Sequence, residues 1–244
     1  MDLTEDRLLG GRVAIRQPRK GFRATIESVL LAAAVPASDG ETVLEPGAGA
    51  GAAALCLAAR VEGCRVVGLE ISPDLVRLAG ENAQLNGLER RIDMMVGDVA
   101  RPPPRLAPAG YDHVMMNPPF LAAGRSDAPA EPALASARVE AAGGLAAWLA
   151  FAGRMLRPKG TLTLVHRADR LADVLGALGP AMGAIVVFPL WPDAAGAPAK
   201  RMLVRARRGA RGPLRLARGL ALHRAGGAFT EAADAVLRGA ALDL

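Results

Sequence analysis

Cysteine is nearly missing from this chain of 244 residues: Cys56 and Cys64 are the whole complement. Two thiols cannot build a disulfide framework, and neither has a histidine or a third cysteine nearby to complete a metal site. Cys56 sits in an Ala/Leu run and Cys64 just before an apolar run, so both read as small buried thiols. Histidine is as sparse, with His113, His166 and His223 scattered along the chain, and no metal is expected. Two Trp, one Tyr and five Phe are too few for a row of stacking platforms. Long apolar runs are absent too. An Arg, Glu or Asp interrupts each candidate, which excludes a helical membrane span. The opening MDLTEDRLLGGR carries acids and lacks the basic-then-apolar order of a secretory signal, so a cytoplasmic location is expected.

What remains is a folded composition, 51% apolar and 22% charged, with a net charge of +6. Lysine occurs only at Lys20, Lys159 and Lys200, so arginine carries nearly all the positive charge. Its planar fork suits pairs of phosphate oxygens, although codon bias in a GC-rich genome would also raise Arg, Ala, Gly and Pro. The cations concentrate in two stretches. One runs from Arg7 to Arg23; the other, from Lys200 to Arg224, holds nine cations and no acid. Both are expected to contact nucleic-acid backbone.

Between these stretches short apolar runs alternate with helical ones, the pattern of βα units and a mostly parallel sheet. Strands are expected at 41–46, 65–71, 92–96, 111–116, 161–166, 184–190 and 201–205. Helices are expected at 50–61, 73–86, 138–156, 169–178 and 230–238. Ser72 before Pro73 reads as an N-cap, as does Thr230. Residues 121–132 read as a loop and Pro158-Lys159-Gly160 as a turn. The organisation implied is a basic segment with a leading helix over 1–40, a core over 41–207, and a basic extension over 208–244 packed on that core.

Four elements carry chemistry, each at the end of a strand. Glu45-Pro-Gly47-Ala-Gly49-Ala-Gly51 follows the first and opens a helix, where glycines let backbone approach a ligand and the helix start favours polar groups. Glu70, at the end of the next strand with Ile71 beside it, can accept hydrogen bonds from two ribose hydroxyls. Asp98, after Gly97 and before Val99, can accept from an adenine amine. Asn117-Pro118-Pro119-Phe120 ends the fourth strand. An exocyclic amine on a ring is a poor nucleophile because its lone pair is delocalised. The Asn117 side-chain oxygen and the Pro118 carbonyl can each accept one of its N–H groups and aim the lone pair. Proline has no N–H to compete, and Phe120 offers a face for the ring. No metal is needed, because positioning and electrostatics supply the gain.

Together these residues resemble the class I S-adenosylmethionine-dependent methyltransferases that methylate amines, over Arg12 to Arg207. The narrower likeness is to bacterial tRNA(Val) adenine N(6)-methyltransferases. Phe22–Leu31 is similar to that family's leading helix, Ala137-Arg138-Val139-Glu140 follows the catalytic loop where the family has an Arg and a Glu, and Leu156–Gly160 opens the fifth strand as it does there. The resemblance implies an α/β Rossmann-like fold with a seven-stranded, mostly parallel sheet and helices on both faces. It implies S-adenosyl-L-methionine as cofactor, held by Thr25, Glu45, Gly47, Gly49, Gly51, Glu70, Ile71, Asp98, Val99 and Asn117. Catalysis falls to Asn117, Pro118 and Phe120, and the RNA, a tRNA first, to Arg138, Glu140, Lys200 and Arg201. Two departures leave the acceptor open. Glu27 stands where Asp is usual, and the motif ends in Phe120, the form common in guanine N(2)-methyltransferases of ribosomal RNA. Release-factor glutamine methyltransferases share the Asn-Pro-Pro core and carry a helical N-terminal domain, for which residues 1–40 leave little room.

Overall fold

The computed structural model describes residues 2–21, 23–119 and 144–244. Its centre follows from the alternating pattern. Strands β3 (Thr42–Pro46), β4 (Arg65–Glu70), β5 (Ile92–Val96), β6 (Tyr111–Met116) and β7 (Leu156–Arg167) pair in parallel in the order β5-β4-β3-β6-β7. Strand β9 (Arg201–Arg208) then runs antiparallel between β7 and β8 (Met182–Asp193). The chain builds outward from β3 to β5, then returns to lay β6 on the other side of β3. That reversal is a switch point, where the crossover helices diverge to opposite faces and leave a crevice at the strands' carboxyl ends.

The α/β class and the mostly parallel sheet are as expected, and β3 to β9 are the seven strands expected. Among the described residues two short strands extend that sheet to nine. The two additions, β10 (Arg215–Leu216) and β11 (Leu220–His223), pair in parallel with successive stretches of β8 and cover its outer edge. A two-residue strand is too short for alternation to register, so this stretch reads from sequence only as a basic tail. The turn at Pro158-Lys159-Gly160 is an irregularity inside β7: Tyr111 pairs with Leu156, but His113 pairs with Thr161, and Lys159 has φ 68°.

The N-terminal basic stretch is also more structured than expected. It folds as an antiparallel hairpin of β1 (Leu3–Leu8) and β2 (Val13–Pro18). Its arginines meet acids of the same hairpin, Arg16 with Glu5 at 3.2 Å, Arg19 with Asp2 at 2.9 Å and Arg23 with Asp6 at 2.8 Å. These three of the six cations in a segment that reads as a cationic arm are therefore paired with acids in space.

Helix α1 (Ile26–Ala34) begins later than the expected Phe22, because extended Thr25 caps it by accepting the Glu27 N–H at 3.3 Å. Helices α2 (Ala52–Arg60) and α3 (Pro73–Leu85) follow β3 and β4, with Ser72 capping α3. Helix α4 (Gly144–Met155) and α5 (Leu171–Leu178) flank β7, and α6 (Glu231–Leu237) starts at Thr230, whose hydroxyl accepts the Ala233 N–H at 3.1 Å. The apolar faces bury in two layers. On one side α1, α2 and α6 pack with Val13 and Ile15 of the hairpin; on the other Trp148, Phe151 and Met155 of α4 pack with Val174 of α5.

One polar device fixes the hairpin to the core. Asn82 on α3 and Asn86, which caps its C-terminal end one turn later, clip the backbone of β2 as a neighbouring strand would. Asn82 accepts the Arg16 N–H at 2.8 Å and donates to the Arg16 and Ala50 carbonyls at 2.8 and 3.0 Å. Asn86 accepts from and donates to Ala14 at 2.9 and 2.7 Å. Asn82 is fully buried, and each of its polar atoms is satisfied by this arrangement. Among the described residues no helix is long and apolar enough to cross a membrane, and no cluster of His, Cys, Asp or Glu could hold a metal.

Candidate active site

The crevice at the switch point is built first from the glycine turn. After β3 the Gly47 and Ala48 N–H groups both donate to the Leu69 carbonyl of β4, at 2.7 and 3.2 Å, which bends the chain tightly over the sheet edge. Gly47 has φ 71°, and a Cβ there would stand 2.8 Å from the Trp148 ring, so the position excludes a side chain on two grounds. Gly49, with φ 55°, has open space where its Cβ would be. The Glu70 carboxylate is held under the turn: Oε2 accepts the Gly49 N–H and Oε1 the Ser72 N–H, each at 3.0 Å. Two backbone donors thus lock its orientation while its further lone pairs stay available.

Two acceptors in the cleft have no donor. Glu45 is buried at the end of β3, and its Oε2 has no hydrogen-bond partner. Burial pushes its carboxyl up to about 8; the Glu70 charge adds to the rise and a hydrogen bond from the Ala54 N–H opposes it. The buried Asn117 Oδ1 is likewise unpartnered at the end of β6. A buried acceptor left unpaired costs about 1–3 kcal/mol, so native structures seldom hold two on one cavity wall without a purpose. Glu45 and Asn117 line the same cleft as Gly49, Ile15, Gln17 and Ser28.

The other expected residues spread along the same edge. Ile71 follows Glu70 with 65% of its surface exposed, an apolar face beside a fixed carboxylate. Asp98 Oδ1 accepts the Ala100 N–H at 2.9 Å, and Val99 is buried next to it. Gly97 donates to the Glu70 carbonyl at 2.9 Å, which keeps the ends of β4 and β5 together. Thr25 caps α1, and the next turn of that helix brings Ser28 and Leu31 to the cleft wall. Pro118 and Pro119 continue from Asn117 off β6. Lys200 and Arg201 stand apart from the cleft and line a second pocket; Arg201 is paired with Glu27 at 2.7 Å, so its charge is already engaged. Phe120, Arg138 and Glu140 lie outside the described residues.

Sequence reasoning missed Ile15 and Gln17, because the hairpin that carries them reads as a basic arm. Gln17 is almost fully buried, donating to Asp6 at 2.8 Å and accepting the Ala24 N–H at 2.8 Å, and so ties the hairpin to the start of α1. An uncharged amide among arginines was the available signal.

This donor and acceptor set fits S-adenosylmethionine. A fixed carboxylate at Glu70, an unpaired buried carboxyl at Glu45 and an open glycine turn match a ligand that brings ribose hydroxyls and cationic groups to a tight backbone. Residues 24–178 match the Methyltransferase small domain family. The chain is 30% identical over 194 residues to a tRNA1(Val) (adenine(37)-N6)-methyltransferase of Aeromonas hydrophila, covering 78% of this chain and 79% of the relative. It is 31% identical over 191 residues to a release factor glutamine methyltransferase of Moorella thermoacetica, with 75% of this chain aligned to only 65% of that longer protein. Among solved structures, a predicted O-methyltransferase from Agrobacterium tumefaciens matches at a TM-score of 0.75 and 28% identity, over 89% of this chain and 99% of that one. With the family match spanning more than half of its length, the chain belongs to the methyltransferase small domain family and is an S-adenosylmethionine-dependent methyltransferase.

Proposed function

We propose that this enzyme methylates an exocyclic amine of an RNA base, and that the base is adenine, at N6, in a tRNA. The observation that carries the reading is Asn117, whose buried side-chain oxygen meets no donor and is followed by two prolines at the mouth of the cofactor cleft. An acceptor there lacks one N–H donor, and the Pro118 carbonyl is available for a second. An amine with two N–H groups satisfies both, and its lone pair then points away from them.

When bound, the cofactor supplies an electrophilic methyl group on a sulfonium. The residues of this chain do the rest. Glu70, locked by Gly49 and Ser72, receives the ribose hydroxyls. Ile71 and Val99 face the adenine ring, and Asp98 accepts from its amine. Glu45 faces the cationic end, the Gly47–Gly51 turn lets the backbone close on the ligand, and Thr25 holds the α1 turn over it. Asn117 and Pro118 orient the acceptor nitrogen, and Phe120 stacks its ring. The nitrogen exchanges one proton for the methyl group. Neither an amide oxygen nor a peptide carbonyl is basic enough to keep that proton, so it passes to solvent.

The tRNA assignment draws on the likeness to the tRNA1(Val) enzyme and on exposed Arg211, Arg215 and Arg218 in the acid-free stretch. The likeness to a release factor glutamine methyltransferase supports a second reading, since a glutamine side chain offers the same pair of N–H groups. Labelled cofactor given to the purified chain with tRNA, ribosomal RNA and release factor separately decides between them. Label in N6-methyladenine of tRNA is the expected result, and label only in release factor overturns it.

A further inference from the structure

Part of the cofactor cleft is walled by Ile15 and Gln17 of β2, by Ala24, and by Ser28 and Leu31 of α1. The cleft keeps its shape only if the end of β2 and the start of α1 stay in register with each other. Asn86 and Asn82 hold β2 at Ala14 and Arg16. The next residue, Gln17, is held from the other side. It is buried, and both ends of its amide are engaged. Oε1 accepts the Ala24 N–H at 2.8 Å, and Nε2 donates to Asp6 Oδ2 at 2.8 Å. A backbone N–H at one end and a carboxylate at the other allow the amide one orientation. Turned over, it would set donor against donor and acceptor against acceptor.

Asp6 lies on β1 with its side chain 41% exposed, and it does not line the cleft. The same Oδ2 accepts from the Thr4 hydroxyl at 3.1 Å and from Arg23 Nη2 at 2.8 Å. Arg23 donates through Nη1 to Thr4 Oγ1 at 2.7 Å and to the Pro18 carbonyl at 3.0 Å. Thr4, Asp6, Gln17 and Arg23 thus close a polar ring around the connection from β2 to α1. The Gln17 hydrogen bond first, then Thr4 and Arg23, hold the Asp6 carboxyl below its ordinary range against the opposing effect of burial. A half-exposed ion pair adds little by itself. A carboxylate that orders a buried amide does more, because the far end of that amide carries the cleft wall.

We propose that Asp6 is a positioning residue for the cofactor: from outside the cleft its carboxylate orients Gln17, and through Gln17 it fixes Ala24 and the start of α1 around the ligand. This rests on the cleft being the cofactor site, whatever the acceptor.

The test is calorimetric cofactor Kd for the full chain and for its Asp6→Ala, Asp6→Asn and Gln17→Leu variants and the Asp6→Ala/Gln17→Leu pair. Melting temperature is recorded for each, with kcat at saturating cofactor on whichever acceptor the native chain labels. Asp6→Ala is expected to raise Kd about ten-fold at unchanged kcat, the loss of a charge-assisted bond to a wall residue. Asp6→Asn keeps an acceptor without the charge and should raise Kd by about four-fold, which decides the matter if Asp6→Ala does not fold. The pair should bind no more weakly than Gln17→Leu alone, since Asp6 then has nothing to act through. If the two single effects multiply in the pair, Asp6 acts apart from Gln17 and the proposal fails. It fails equally if the Asp6 variants bind the cofactor as tightly as the native chain, or if kcat and melting temperature fall with Kd, which marks a loosened fold. Glu70→Ala checks the cleft itself: an unchanged Kd there means the cofactor binds elsewhere, and the cleft reading fails and takes Asp6 with it.

Discussion

Replacing Glu45 with Gln tests what the buried carboxyl does, because its ionisation and cofactor binding are linked. Burial raises the group to about 8, so at pH 7 the cofactor-free protein holds it protonated by a ratio of about ten to one. A cationic ligand beside it favours the carboxylate. Binding at pH 7 then releases about 0.9 of a proton, and the apparent affinity is about ten-fold, or 1.4 kcal/mol, below its high-pH plateau. Between pH 6 and pH 8 the Kd is expected to tighten about fifty-fold on this account. Stability of the cofactor-free protein runs the other way. A carboxyl at 4.5 unfolded and about 8 folded binds more protons in the folded state between those values, so stability falls as pH rises from 4.5 to 8. Calorimetric titration in buffers of different ionisation heat counts the proton, and Glu45→Gln should release none from this site and bind with a flatter pH profile. The cofactor's own α-amine titrates in the same range, about 8, and enters both profiles, so the linkage is read from the difference between the two proteins. Equal proton release and parallel pH profiles for the two proteins would refute the linkage.

Asn117→Ala removes an acceptor that has no partner in the cofactor-free protein, so thermal unfolding should be unchanged or slightly raised, while turnover falls by about 10²; single-turnover kinetics at saturating cofactor measure the drop, and near-normal turnover would remove Asn117 from the chemistry. Asn82→Ala strands Arg16 and Ala50 backbone groups and should cost about 3 kcal/mol, lowering the melting temperature by about 6–12 °C. Because β2 carries Ile15 and Gln17 to the cleft, the same variant should also weaken cofactor binding, which calorimetry checks. Gly47→Ala places a Cβ against the Trp148 ring at a φ of 71° and should destabilise by about 1–3 kcal/mol in chemical denaturation, whereas Gly49→Ala, with open space at its Cβ, should keep the fold and lose cofactor affinity.

How legible this protein is from sequence depends on whether a residue's partner is near it in the chain. Strands β5 and β6 fall at the expected residues because each is a short apolar run closed by Gly97 or by Asn117-Pro118. Helix α3 starts where Ser72-Pro73 predicts, since a cap is a contact between neighbours. The hairpin is invisible by the same logic. Its strands, LTEDRL and VAIRQP, show no apolar alternation, and the groups that hold it, Asn82 and Asn86, lie more than sixty residues away. Charge behaves likewise. Counting arginines predicts a cationic N-terminus, yet Asp2, Glu5 and Asp6 on the opposite strand pair with them once the hairpin closes. The acid-free C-terminal stretch is spent partly inside the sheet as β9 and partly on acids brought from elsewhere, Glu27 against Arg201 and Glu231 against Arg224.

The candidate site is legible in its parts and not in its assembly. Each of Glu45, Glu70, Asp98 and Asn117 ends a strand, and a parallel sheet puts all such ends on one edge, so the sequence order alone brings them together. What that order cannot supply is which of them go unpaired. Glu70 finds one backbone donor in its own loop, Ser72, and a second in the glycine turn of the neighbouring strand, Gly49, and is fixed before any ligand arrives. Glu45 at the end of β3 and Asn117 just after β6 flank the switch point, and although the Ala54 N–H of α2 reaches the Glu45 carboxyl, Glu45 Oε2 and Asn117 Oδ1 are left without partners. The two unsatisfied acceptors thus stand where the topology opens the crevice. In the proposed reaction one of them faces a cation and the other an amine, and substituting them separates cofactor binding from methyl transfer.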